Sequence, residues 1–237
     1  MSRVPLILVA TLLSGVAVPV EAAKKPKKHK KQKDDRRVTK KTKANMPRGF
    51  VWPASKNMVA MADACEQELD ELGIARQAAK DAGRVVRPMK PDADIGGITY
   101  TAVYSKNQVF DCQLVLALAK FAPRLGELGV AEVRFGSAFR WSKVRVNGKT
   151  KNILSRHGLG LALDIVSFVD TAGIDHNVKQ DYKRGDDLLH EIERSVNDSG
   201  QFRLLLTPRN DPKSHSDHFH LEANPDYTET VTERPSS

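Results

Sequence analysis

The stretch Ser155-Arg156-His157-Gly158-Leu159-Gly160-Leu161-Ala162-Leu163-Asp164 sets a histidine and a carboxylate seven residues apart across a glycine-bearing turn. Asp164 falls inside an apolar run, Leu163-Asp164-Ile165-Val166, which reads as part of a buried strand over residues 161–168. A carboxylate in such a strand has to be paired or has to ligate a metal, because an isolated buried charge is very costly. A second cluster, His215-Ser216-Asp217-His218-Phe219-His220, holds three of the seven histidines. Side chains alternate along a strand, so His218 and His220 share one face.

The two clusters together offer two imidazoles and one carboxylate, leaving a fourth tetrahedral position for water. That is the donor set of a catalytic zinc site, whereas structural zinc sites are closed and usually rich in cysteine. Calcium and magnesium prefer shells of oxygen alone.

Outward from the clusters, the chain alternates helical and extended patterns. Met58, Met61, Ala62, Cys65, Leu69 and Leu72 repeat at helical spacing, and Gly73 ends that run. Residues 98–104 read as a strand. Asp111 can cap a helix carrying Leu114, Leu118 and Phe121, with Pro123 as a candidate break. Residues 130–139 read as a strand, 186–196 as a short helix, and 201–206 and 218–222 as two more strands. There is no βαβ regularity, so the expected class is α+β, an antiparallel sheet flanked by helices.

The chain has 237 residues, 40% hydrophobic, and a net charge of +9. Residues 24–44 alone carry twelve Lys/Arg against Asp34 and Asp35, which is +10, so the remainder is close to neutral. The basic character belongs to a tail, and specific nucleic-acid binding by the folded part is not expected. Residues 1–22, with Arg3, an apolar run over residues 4–20 and Val20-Glu21-Ala22, have the pattern of a secretory signal peptide. Residues 23–47 are nearly devoid of apolar side chains and are expected to be a disordered basic linker. It is either a plain spacer or an electrostatic tether to an anionic surface, such as a wall polymer, a membrane or nucleic acid. Order is expected to begin near Val51-Trp52-Pro53, with the domain spanning residues 48–227 and a disordered tail over residues 228–237. The protein is expected to be exported, to the periplasm or beyond the cell.

Export bears on Cys65 and Cys112, the only two cysteines. An even count in an oxidising compartment points to a disulfide, with two buried thiols as the alternative. Closing that loop stabilises a fold by about 4 kcal/mol in the chain-entropy model.

Ser155-x-His157-x-x-Gly160-x-Ala162-x-Asp164 followed by Asp217-x-x-His220 resembles the D-Ala-D-Ala metallopeptidase and hedgehog-type zinc peptidase fold. Within it, the order Cys65, Cys112, Arg140, the Ser155–Asp164 motif and the His215–His220 motif is most similar to the bacterial extensin-like C-terminal domain family. The likeness covers roughly residues 57–225. Arg156, Leu161 and Phe139 stand where the family often has Glu, Asn and Cys.

The resemblance implies His157, Asp164 and His220 as ligands of Zn²⁺. It also implies Asp217 as general base and Arg140 as the cation that stabilises an oxyanion. His218 is the rival base, with Asp217 orienting it. Asp217 is preferred here on the premise that the strand begins only at His218. The expected activity is zinc-dependent hydrolysis of peptide bonds in peptidoglycan, by an endopeptidase or carboxypeptidase. The alternative is a catalytically inactive zinc-containing module that binds the cell wall. His215 is expected beside the ligands or at the surface, and Trp52 and Trp141 in the core or lining a groove.

Overall fold

Ser55 accepts a hydrogen bond from the Met58 N–H and starts the first helix, α1 (Lys56–Glu71). A computed structural model describes residues 45–104, 108–146 and 149–229 of the chain. The expected signal peptide, nearly all of the expected basic linker and most of the expected C-terminal tail lie outside the described residues. Asn45, at the end of the expected linker, already engages the domain, donating through Nδ2 to the Leu154 carbonyl at 2.8 Å.

After α1 the chain forms short strands β1 (Arg76–Ala78), β2 (Pro88–Pro91) and β3 (Asp94–Ile95), then β4 (Ile98–Ala102) and β5 (Phe110–Asp111). Asp111 caps α2 (Cys112–Glu127), accepting from Gln113 N–H, and its other oxygen accepts from the Val86 and Arg87 N–H groups. Burial pushes this carboxyl up to about 6 despite those bonds. Pro123 does not break α2. Phe121, Ala122 and Leu125 are buried, and their packing outweighs one lost ladder bond.

Strand β6 (Val130–Ser137) leads to a hairpin, β7 (Lys143–Val146) and β8 (Lys149–Leu154). A 3₁₀ turn (Arg156–Leu159) and β9 (Ala162–Asp170) follow. The remainder is β10 (Asp175–Asn177), a one-turn α3 (Val178–Asp181), α4 (Asp187–Ser199) capped by Asp186, β11 (Phe202–Leu206) and β12 (Phe219–Ala223).

The main sheet has the order β11-β12-β9-β6-β4-β3, with β10 beside β9. The α+β expectation holds, and the sheet is mixed: β4 and β6 run parallel, while its other pairs are antiparallel. The parallel pair follows from the connection, because the chain between them passes through α2 and so crosses over instead of turning back. β1-β2-β5 form a small separate sheet. Helix α2 is buried nearly all round and forms the centre of the core with Val133, Phe135, Leu163, Ile165, Phe219 and Leu221 from the sheet. The disulfide Cys65–Cys112 joins the middle of α1 to the first residue of α2, so the two-thiol alternative falls.

Candidate metal centre

Sheet register assembles the centre. His220 on β12 lies opposite Asp164 on β9, and Asp164 lies opposite Ser137 on β6. Residues in one such row project on the same side of a sheet. His157 comes from the 3₁₀ turn just before β9. Gly160 closes that turn at φ +66°, and a Cβ there would sit 2.8 Å from the Asp111 backbone nitrogen. No other residue combines that backbone conformation with that close approach. Arg156 anchors the turn from inside, donating to the carbonyls of Asn45 and Ala223.

Three donor atoms converge. His157 Nε2 is 3.0 Å from Asp164 Oδ1, His220 Nδ1 is 2.8 Å from the same oxygen, and the two ring nitrogens are 3.2 Å apart. All three residues are buried, and they form a group able to hold a metal ion.

The outer atoms of the rings decide which inner atoms carry lone pairs. His157 Nδ1 donates to the Ala138 carbonyl at 3.0 Å, leaving Nε2 as an acceptor. His220 Nε2 donates to Glu222 Oε1 at 3.0 Å, leaving Nδ1 as an acceptor. Asp164 Oδ2 is held by the Ser137 hydroxyl at 3.0 Å and by Arg140 Nη2 at 3.2 Å. Such outer bonds orient ligands and raise their basicity. The fit to a metal is chemical as well as geometric, since two imidazole nitrogens and one carboxylate oxygen suit zinc and other borderline cations.

Electrostatics agree. Burial opposes a charge on His220, but Asp164 and Glu222 outweigh it and push the imidazole up to about 9. Burial holds His157 below its ordinary value. Burial would raise Asp164, yet the two imidazoles hold it far below the usual carboxylate range, and Glu222 is likewise lowered to about 2. Asp164 and Glu222 thus favour positive charge at His220, and a cation held at Nδ1 would replace a proton there and leave the neutral tautomer that donates to Glu222.

His218 approaches from the solvent side. Its Nδ1 is 2.7 Å from Asp217 Oδ1, and its Nε2 is 3.7 Å from Asp164 Oδ1. Strand β12 begins at Phe219, one residue later than the premise that favoured Asp217. Asp217 is largely exposed and bonds His218. His215 is half-buried, its ring 4.9 Å from that of His218 and 5.2 Å from that of His220, with Nδ1 held by Asp211. Burial, then its imidazole neighbours, lower it to about 4. Arg140 is half-exposed beside Asp164. Trp52 and Trp141 lie at the surface, outside the core. Ser137, the Ala138 carbonyl and Glu222 were not anticipated. Glu222 had a signal in the sequence, because it stands two residues beyond His220 and so shares its face of a strand.

The mixed α+β fold and its buried His-Asp-His group define a domain with the donors for a metal site. The family model described as "Extensin-like protein C-terminus" matches residues 63–231, and the chain belongs to that family. No curated protein and no solved structure matches it.

Proposed function

We propose that this domain is an exported zinc-dependent hydrolase of peptide bonds in peptidoglycan. The observation that carries the reading is His218, an imidazole held by a carboxylate at one nitrogen and aimed at the His157–Asp164–His220 group with the other. An orienting carboxylate fixes the tautomer and supports the imidazolium that forms when a base takes a proton. His157 Nε2, Asp164 Oδ1 and His220 Nδ1 would hold the metal. When bound, zinc makes an attacking water acidic and polarises a carbonyl.

His218 Nε2 is then the base that receives the water's proton and delivers it to the leaving amine, with Asp217 as its orienting partner. Arg140 spends one N–H on Asp164 and keeps others for the oxygen that becomes negative. The peptide-bond assignment rests on the likeness of the motif order to metallopeptidases. The assignment to export rests on the pattern of residues 1–22 and is consistent with the Cys65–Cys112 disulfide. No helix among the described residues is long and apolar enough to cross a membrane.

A second reading, a metal-containing wall-binding module, has the pairing of Arg140 with Asp164 in its favour, since that cation is already engaged. Digestion of purified peptidoglycan, with product masses, separates the two. Release of cleaved peptides, lost on chelation and regained with zinc, is expected. Metal-loaded protein that binds wall material and releases nothing sinks the hydrolase reading.

A further inference from the structure

Along the chain, the β7–β8 hairpin separates Arg140 from His157. It starts three residues after Arg140 and ends three residues before His157. Its root is pinned by Ser155 N–H to the Ser142 carbonyl at 2.9 Å and by the contact between the Ser142 and Ser155 hydroxyls at 2.7 Å. The Arg140 N–H also bonds the His157 carbonyl. Beyond the root, the two strands form their own sheet, apart from the main one.

That arm is cationic without compensation. Lys143, Arg145, Lys149 and Lys151 are exposed, and none makes an ion pair among the described residues. No Asp or Glu occurs between Glu132 and Asp164. Arginines elsewhere behave differently: Arg87, Arg124 and Arg134 each meet two carboxylates. Four unneutralised cations on a slender ribbon repel one another, which is unfavourable unless an anion is to be met. Trp141, 61% exposed at the root, adds a flat apolar surface beside the charges.

We infer that the β7–β8 hairpin is a docking arm that captures carboxylate-bearing stem peptides of peptidoglycan and feeds them to the His157–Asp164–His220 centre. This rests on the proposed function and deepens it by naming the feature of the substrate that is recognised. The arm reads free carboxylates, not the bond that is cut. Cations spaced along two strands suit an extended peptide with several carboxylates, and Trp141 suits its apolar portion or an attached sugar ring. The basic residues at 24–43 lie outside the described part and are a separate source of charge, which the test has to control.

The test uses the full chain and soluble disaccharide-peptide fragments, either with free carboxylates or with those carboxylates amidated. Binding is followed by tryptophan fluorescence and calorimetry, and cleavage is followed separately by product mass. The variant neutralises the arm with Lys143→Gln, Arg145→Gln, Lys149→Gln and Lys151→Gln. A control neutralises Lys24, Lys25, Lys27 and Lys28 in the same way. The arm variant should bind free-carboxylate fragments on the order of tenfold more weakly, as expected for several exposed charge contacts. Any KM should rise with kcat little changed. Amidated fragments should bind the wild type about as weakly, which tests the same contacts even if the variant does not fold. The control should match the wild type.

Equal binding by wild type and arm variant overturns the inference, as does indifference to amidation. So does a loss confined to anionic vesicles or oligonucleotides, which would make the arm's partner a membrane or a nucleic acid. Carboxylate-dependent binding through the arm with no cleavage removes the hydrolase reading and leaves the arm standing. Cleavage with unchanged KM in the arm variant does the reverse.

Discussion

Glu222 accepts a hydrogen bond from His220 Nε2 at 3.0 Å, on the side of the ring opposite the nitrogen that faces Asp164. The carboxylate is itself held by Arg203 Nε at 2.7 Å, so the ring has little freedom to turn. Outer partners of this kind are worth about 10–100-fold in metal affinity. Glu222→Gln should therefore bind zinc about 10–100-fold more weakly in competition with a chelator, while His157→Ala should retain essentially none. Full zinc in the His157 variant would reject the centre. Unchanged affinity in the Glu222 variant would reject its orienting role.

Roles around the centre separate by turnover at constant metal content. At saturating zinc, which Arg140→Ala needs because Arg140 also holds Asp164, His218→Ala should lower kcat by about 10²–10⁴-fold and Arg140→Ala by about 10²–10³-fold. Asp217→Ala should be the milder change, because it removes the orienting partner of the base and leaves the base. An inactive Asp217 variant beside a fully active His218 variant would restore Asp217 as the base.

Cys65 and Cys112 should be bonded in protein recovered from an oxidising compartment, as intact mass before and after reduction and alkylation will read. Replacing both by Ser should lower unfolding free energy by about 2–5 kcal/mol, measured with urea. The link closes a loop with a sequence separation of 47 and ties α1 to the start of the buried helix α2. Two free thiols would show it unformed.

His176 places Nδ1 2.8 Å from Asp186 and Nε2 3.5 Å from Asp170, linking β10 to the cap of α4 and the end of β9. Burial opposes its charge, but the two carboxylates prevail and raise it above 6.5. A raised histidine contributes stability that is full below its unfolded value and lost as pH rises through the folded value. The stability gap between wild type and His176→Ala should thus be larger at about pH 5.5 than at about pH 9. A gap independent of pH would show that the imidazolium contributes nothing.

The helices were legible because their information is local. Apolar spacing, the stop at Gly73 and the cap Asp111 place α1, α2 and α4 to within a few residues. The small sheet of β1, β2 and β5 was not legible, since strands of two to four residues carry too little periodicity to register. The β7–β8 hairpin did leave a trace in Asn147-Gly148 between two extended runs. Pro123 misled in the other direction, as burial of its neighbours overrode a local rule.

The sequence by itself determined the donors. A carboxylate inside an apolar strand and histidines at alternating positions leave few chemistries open, because buried charge has to be matched. Only the tertiary structure decided which atoms meet. That His220 turns Nδ1 inward follows from Glu222 and Arg203, that Asp164 offers Oδ1 follows from Ser137 and Arg140, and the path of the chain before β12 sets His218, and not Asp217, beside the centre. Those choices depend on register between β6, β9 and β12, set by packing between segments far apart in the chain, and local patterns carry no record of it.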